Sequence, residues 1–435
     1  MLGMNHKLAQ LEKEGKPIFT GIVGAGYTGR SMAGQMLSMK GIRPAVLIDI
    51  DIEKAKNVYR DAGLNEGIDF ALAETVQEGN KLLNSGKFVV STNQELATKC
   101  SKIHCSVDAT GVPEAGAKIA IDAINNKKHI VMLNVETDVC IGHILYQKAN
   151  DAGVIYSGSA GDEPGSVMEL YDFADALGFE VRVIGKGKNF GMDHHCTPET
   201  INEEARQRGI DARMFCAFRD GTKTMVELTA MANATGFLPD IVGAHGACGT
   251  VEELPNLLSL KSEGRGGILS SYRTVEYVNG VAPGVFIIIA SSLPDANHVF
   301  KYLNIGSGPN YVLYRPYHLI SLETPLTIAK ACIDHEPSIV PRAGIIAETA
   351  SIAKRDLKTG EMLDGIGGYT VRGTFVSAKE AKEKKLLPLG LINAKTKMLR
   401  DLNKGEFIRY DHVQLDETSL IAELRRTQDA LFKKV

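Results

Sequence analysis

The chain has 435 residues, 44% hydrophobic and 23% charged, the balance of an ordinary globular protein. Its length exceeds the roughly 250–300 residues at which one hydrophobic core stops growing, so two or three domains are expected. With 49 basic and 52 acidic residues the net charge is −3, which excludes an overall electrostatic footprint for nucleic acid or anionic lipid; any cationic feature must be local.

The first stretch, MLGMNHKLAQLEKEGKP, scatters charges where a signal peptide needs an apolar core. No run approaches the ~20 apolar residues of a membrane span. A cytoplasmic protein with a small-molecule substrate, and with no nucleic-acid or membrane partner, is expected. Cys100, Cys105, Cys140, Cys196, Cys216, Cys248 and Cys332 are scattered without a CxxC pair, which fits reduced thiols better than a disulfide frame.

An apolar run from Ile18 to Val23 leads into Gly24-Ala25-Gly26-Tyr27-Thr28-Gly29, after which Met32, Ala33, Met36 and Leu37 recur at helical spacing. Each glycine has its own task. Gly24 makes the tight turn, Gly26 lets backbone approach a pyrophosphate, and Gly29 lets helix and strand pack closely. The helix then presents unpaired N–H groups to phosphate. A second strand, AVLID, ends at Asp49, where a carboxylate can hydrogen-bond the adenosine ribose. Strand, glycine turn, helix and a later acidic strand end together predict a dinucleotide site, with Tyr27, Thr28 and Arg30 beside the glycines. Asp49 and Asp51 would repel a 2′-phosphate and favour NAD, whereas Arg30 and Lys54 could compensate one, so NADH and NADPH both stand.

Further strands are predicted at KFVVST (87–92), SVDATG (106–111), HIVMLN (129–134) and GVIYSGS (153–159). Ligands of doubly wound sheets bind beyond the carboxyl ends of strands, which makes Thr110, Gly111, Asn134 and Glu136 candidate neighbours of the nicotinamide.

After a helix starting near Pro164 comes FEVRVIGKGKN, whose period of two puts Lys186 and Lys188 on one face. Two ammonium groups on one face suit an anion. In FRDGTKTMVELTAMANATGF, Asp220 and Gly221 precede a helical pattern that stops near Gly236, placing Lys223 at the positive helix end. A cation costs about 0.3–1 kcal/mol there, which a bound anion would offset, as could Asp220 or Glu227. The neighbouring His194 and His195 lack metal-ligand spacing, and Cys196 has no base at an identifying distance. A cationic pocket is the preferred reading; a divalent metal is possible but has no sequence signal.

Toward the end, Arg-Asp-Leu-x-x-Gly-Glu occurs at Arg355 and again at Arg400. Two copies are too few for a solenoid and indicate a small β-rich region with two similar loops. A repeated structural turn is preferred over a sugar or phosphate site.

GAGYTGR, VDATGVPEAGA, VMLNVETDVCIG, SGSAGDEPG, GKGKN, DGTKTMVE and AKRDLKTGEMLDGIGGYTVRG together resemble the homoserine-dehydrogenase-like oxidoreductases with a C-terminal SAF domain, and among them the 1-deoxy-D-xylulose 5-phosphate reductoisomerase-like enzymes. The resemblance implies an α/β protein: a Rossmann doubly wound domain over 1–160, a catalytic and dimerising α+β domain over 161–335, and a β-rich SAF-like domain over 336–435. It implies a homodimer, and a reductoisomerase forming 2-C-methyl-D-erythritol 4-phosphate with NADPH. The alternatives are a simple dehydrogenase of another hydroxy acid or sugar phosphate, or a non-enzymatic cofactor- or sugar-binding protein. Homoserine dehydrogenases carry a lysine shortly after the strand that ends here at Asn134, where this chain reads NVETD (134–138), which argues against homoserine itself and moves the cationic role to Lys186, Lys188 and Lys223.

The expected mechanism, on a small phosphorylated hydroxy-carbonyl substrate, places Lys223 at the reacting oxygens and Lys186 with Lys188 at the substrate charge, or the two roles exchanged, with Asp220 and Glu136 as candidate proton carriers.

Overall fold

The structure, a computed structural model, describes residues 3–188 and 191–431; Asn189 of the GKGKN motif lies outside the described residues. It divides into two compact units, each discontinuous in sequence. Among the described residues no helix is long and apolar enough to cross a membrane.

The first unit comprises 1–162, 319–340 and 419–435. Its sheet contains β1 (Ile18–Val23), β2 (Ile42–Ile48), β3 (Phe70–Leu72), β4 (Phe88–Ser91), β5 (Cys105–Asp108), β6 (His129–Met132) and β7 (Tyr156–Gly158), in the order β3-β4-β2-β1-β5-β6-β7. Every neighbouring pair is parallel. Ile22, Val46, Val89, Val107 and Ile130 are buried, as befits strands covered on both faces. The chain moves outward from β1 and returns to β5 on its other side, so the switch point of this Rossmann sheet lies between those two strands.

Two late segments complete this unit. Ser338 donates its N–H to the Ser157 hydroxyl at 2.9 Å, and Gly158 donates to the Ile339 carbonyl at 2.9 Å. The C-terminal helix Leu420–Leu431 lies on the Val135–Ala152 helix, where Gln428 accepts from Ile144 N at 3.0 Å and donates to Cys140 O at 3.1 Å. The resemblance implies three domains consecutive in the chain, whereas the first compact unit also takes in residues 319–340 and 419–435.

The second unit comprises 163–318 and 341–418. Its four-stranded sheet is built from β8 (Glu180–Lys188), β9 (Thr274–Asn279), β10 (Val285–Ala290) and β11 (Tyr311–Arg315), in the order β11-β10-β8-β9. β8 runs parallel to β9 and antiparallel to β10. Val181, Ile184, Val275, Ile287 and Ile289 of this sheet pack with Leu228 and Met231 of the Thr222–Thr235 helix. That helix also carries the hairpin of β12 (Ala347–Ala353) and β13 (Val371–Ser377): Thr229 and Thr349 hydroxyls meet at 2.8 Å, and Gly373 N donates to the Thr222 hydroxyl at 2.9 Å.

The repeated Arg-Asp-Leu loops brace one another. Lys358 Nζ lies 2.9 Å from Asp401, Lys404 N donates to Asp356 at 2.8 Å, and Leu357 bridges Leu402. The duplication therefore forms one mutual turn structure.

Candidate functional site

In the first unit the glycine loop lies between β1 and the Tyr27–Ser38 helix. Gly24 has φ +101°, and a Cβ there would come within 2.6 Å of the Ala109 carbonyl oxygen, so the turns after β1 and β5 touch. A Cβ on Gly29 would sit 1.8 Å from the Gly24 oxygen. A Cβ on Gly26 would meet nothing within 4 Å, which leaves open space at the start of the Tyr27–Ser38 helix. The bare backbone, the open volume and the helix N-terminus fit a dinucleotide pyrophosphate.

Asp49 accepts from Ala25 N at 2.7 Å and from Asp51 N at 2.9 Å, so its carboxylate braces the glycine loop as well as ending β2. Arg30 is paired with Asp61 at 2.6 Å on the surface. Tyr27 is exposed and Thr28 half-buried beside the loop.

Beyond β5, Asp108 accepts from Thr110 N and Oγ1 at 2.9 and 2.7 Å and from Asn134 Nδ2 at 3.0 Å. Burial pushes its carboxyl up to about 6 against these bonds, with a smaller push from Glu136. Gly111 holds φ +66° in the same turn, and Glu136 is buried in the first turn of the Val135–Ala152 helix. Thr110, Gly111, Asn134 and Glu136 thus gather at the carboxyl end of this sheet, and the first and third form an organised network around Asp108.

The second unit holds the lysines. Lys186 Nζ donates to Glu163 at 2.6 Å and makes a shorter contact with Glu227, with both carboxylates almost wholly buried. Burial opposes the Lys186 charge, but the two carboxylates outweigh it and hold the ammonium above its ordinary pKa. His318 Nε2 lies 3.4 Å from Glu163. The Glu163 and Glu227 oxygens are within 4.8 Å of each other, close enough to share a cation, and the Lys186 ammonium already serves as one.

Lys188 is on the same face and is different. It donates to the Phe218 carbonyl at 3.2 Å and to the Thr224 hydroxyl at 3.3 Å, and among the described residues it has no ion pair at contact distance. Burial, and then the charge of Lys186, pull its pKa down to about 8. Lys223 starts the Thr222–Thr235 helix and acts electrostatically on Glu227, whose carboxyl is pushed up mainly by burial and by Glu163.

Asp220 ends the Ala212–Arg219 helix and accepts from Thr222 N, the first residue of the next helix, at 2.8 Å, and its other oxygen lies 2.6 Å from Lys354 Nζ. His194 Nδ1 is 2.9 Å from the Asp220 carbonyl, and Arg372 also feels the Asp220 charge. The second unit therefore brings together Lys186, Lys188, Lys223 and Asp220, while Glu136 belongs to the first unit's network.

Sequence reasoning missed Glu163, His318, Lys354 and Arg372 as members of the cluster. Glu163 had a signal, because it stands inside SGSAGDEPG beside the helix-starting Pro164. Lys354 and Arg372 come from β12–β13 and reach Asp220 only through the fold, so spacing held no sign of them.

Comparison with known proteins places one segment. Residues 161–324 match the family described as Oxidoreductase DRL, catalytic domain, so this part of the chain is similar to an oxidoreductase catalytic domain. No curated protein matches the chain. Among solved structures, a protein described as a probable dehydrogenase from Thermotoga maritima is 12% identical with a TM-score of 0.41, over 75% of this chain and 92% of that one. A myo-inositol dehydrogenase from Corynebacterium glutamicum is 14% identical with a TM-score of 0.33, over 63% and 65%. A myo-inositol dehydrogenase from Lactobacillus casei, in complex with NAD(H) and myo-inositol, is 14% identical with a TM-score of 0.29, over 42% of this chain and 49% of that one, about half its length. With TM-scores below 0.5 these are loose likenesses and decide nothing about this chain's chemistry.

Proposed function

We propose that the chain is a nicotinamide-dependent oxidoreductase acting on a small anionic hydroxy-carbonyl compound, with Lys188 as its proton carrier. Lys188 is the observation that carries this reading: a buried amine brought to about 8 exchanges its proton near neutral pH. The similarity of 161–324 to an oxidoreductase catalytic domain supports it, since that segment contains Glu163, Lys186, Lys188, Asp220, Lys223 and Glu227. The glycine loop of the first unit fits the dinucleotide, with Gly24, Gly26 and Gly29 giving the close approach and Asp49 bracing the turn.

A bound nicotinamide would supply or accept the hydride. Reduction of a carbonyl leaves negative charge on its oxygen, and Lys188 Nζ gives that oxygen a proton; in the oxidising direction the neutral amine takes it back. Lys186 has a positioning role: burial does most to lower the Lys188 pKa, and the fixed charge of Lys186, held in place by Glu163 and Glu227, lowers it further. Lys223 contributes positive charge at a helix N-terminus, which suits a phosphate or carboxylate on the substrate.

Lys188→Met should lower turnover by about 10²–10³-fold, the scale of one general acid–base group. Carbonyl reduction by the parent should fall as pH rises past about 8, where Lys188 loses its proton. That limb should vanish in the variant. Activity within a few-fold of the parent, with the same pH profile, would return Lys188 to a structural role.

A narrower reading is reduction coupled to rearrangement of 1-deoxy-D-xylulose 5-phosphate. It is favoured by the presence of Glu163, Lys186, Lys188, Lys223 and Glu227 within SGSAGDEPG, GKGKN and DGTKTMVE, the motifs that resemble the reductoisomerase-like enzymes. Incubation with this substrate and NADPH or NADH, followed by mass and NMR analysis, separates the readings. A branched 2-C-methyl product supports the reductoisomerase; an unrearranged skeleton leaves the simple dehydrogenase.

A further inference from the structure

Below the lysine cluster two thiols face each other. Cys196 Sγ and Cys216 Sγ are 3.6 Å apart, both are at most 1% exposed, and Lys354 Nζ is 3.3 Å from Cys216 Sγ. The same ammonium is bonded to the Cys196 and Gly368 carbonyls at 3.0 and 2.9 Å and to Asp220 at 2.6 Å, so its position beside the sulfur is fixed from four directions. Burying a lysine against a thiol serves packing poorly, whereas it favours negative charge on that sulfur. The Cys216 thiol is pulled down by the hydrogen bond from Cys196, against the effect of burial, and further by Lys354.

We propose that Cys196 and Cys216 are a dithiol that a peroxide-class oxidant converts reversibly to a disulfide. The Cys216 thiolate attacks one peroxide oxygen, breaks the O–O bond and becomes a sulfenic acid, and the departing hydroxide takes up a proton to leave as water. The Cys196 thiol, which its bond to Cys216 and burial keep protonated, then attacks the sulfenic sulfur; as the S–S bond forms its proton goes to the departing hydroxide, which leaves as a second water. Two thiols and one peroxide thus give one disulfide and two waters, and an external dithiol restores both thiols by exchange.

The geometry allows it. The sulfurs must approach from 3.6 Å to the ~2.05 Å of a disulfide. Cys196 lies outside any helix or strand, so its backbone can yield without breaking regular structure. The bond would tie the His194–Cys196 segment to the Ala212–Arg219 helix. Two residues beyond Cys216 is Phe218, whose carbonyl accepts from Lys188, and four beyond is Asp220, so the redox state is placed next to the proton carrier.

The test is made on the full chain in a Cys248→Ser background, which removes the exposed thiol. After hydrogen peroxide and alkylation of remaining thiols, intact mass and non-reducing peptide maps should show loss of two hydrogens and one Cys196–Cys216 linked peptide, both reversed by dithiothreitol. Cys196→Ser and Cys216→Ser should each abolish the linked peptide. Lys354→Met should form it about tenfold more slowly or worse, because the thiolate fraction falls tenfold for each unit by which the thiol's pKa rises. If that variant does not fold, the parent and the two serine variants decide alone. Both thiols remaining alkylatable, Cys216 going to sulfinic acid without a cross-link, or links to other cysteines would overturn the proposal. None of these readouts uses enzymatic activity, so the outcome stands apart from that of the proposed reaction.

Discussion

The two units carry their chemistry in opposite ways. The first offers backbone: N–H groups at a turn that exists because Gly24, Gly26 and Gly29 have no side chains to fill it. The second offers charge: Lys186, Lys188, Lys354, Glu163, Glu227 and Asp220 are all buried, and most are held by an oppositely charged partner. A site of the first kind is destroyed by adding atoms and one of the second kind by removing them. Substitutions that add or delete atoms should therefore affect the two units differently.

The largest loss is expected from deletion in the second unit. Asp220→Ala leaves the Lys354 ammonium buried without its carboxylate, and side-chain exposures of 2% and 0% for the pair leave no water to replace it. Breaking a buried pair from one side costs about 3–5 kcal/mol. Urea unfolding should show a drop of that size, whereas a midpoint within measurement error of the parent would mean that the carbonyls and thiol around Lys354 suffice.

Adding atoms in the first unit should separate fold from binding. Gly29→Ala places a methyl 1.8 Å from the Gly24 oxygen, and such overpacking costs about 1–3 kcal/mol. Gly26→Val should leave stability nearly unchanged, because the space beside Gly26 is open, and yet weaken cofactor binding tenfold or more, about 1.4 kcal/mol. Calorimetric titration with NADH and NADPH together with thermal unfolding checks both. Unchanged cofactor affinity in Gly26→Val would show that the open volume at Gly26 is not the cofactor's.

The same contrast explains what was legible in the sequence. GAGYTG could be read directly because strand, turn and helix are consecutive, and each glycine's role follows from local geometry. The period-two placement of Lys186 and Lys188 was legible for the same reason, as was the helix that follows Asp220 and Gly221 and stops at Gly236. Their partners were not. Glu163 and Glu227 reach Lys186 from two different helices, and Lys354 reaches Asp220 from β12–β13, so no spacing encodes the pairs. Without the pairs, Lys186 reads as a free cation for substrate, whereas the structure gives its charge to two carboxylates and leaves Lys188 as the amine near neutrality. The late segments 319–340 and 419–435 were hidden too, since their return to the first unit depends on contacts with Ser157 and with the Val135–Ala152 helix.

The smallest expected effect tests Asp49, a residue that belongs to both kinds of site. Its oxygens accept from Ala25 N and Asp51 N, so it helps to shape a backbone site, yet it is also a charge at the place where the adenosine ribose is read. Asp49→Asn removes the charge while keeping one of the two acceptor oxygens, so one of the loop's two hydrogen bonds survives. If the charge reads the 2′ position, NADH affinity should fall and NADPH affinity should fall less or rise, changing their ratio by about tenfold, or 1.4 kcal/mol. Asp49→Ala should add a loss of stability of about 1–2 kcal/mol from the two missing hydrogen bonds. Titration of both cofactors into both variants gives the ratio directly. An unchanged ratio beside reduced stability would make Asp49 a brace of the glycine loop alone, and cofactor choice would then have to be sought in the exposed side chains around it.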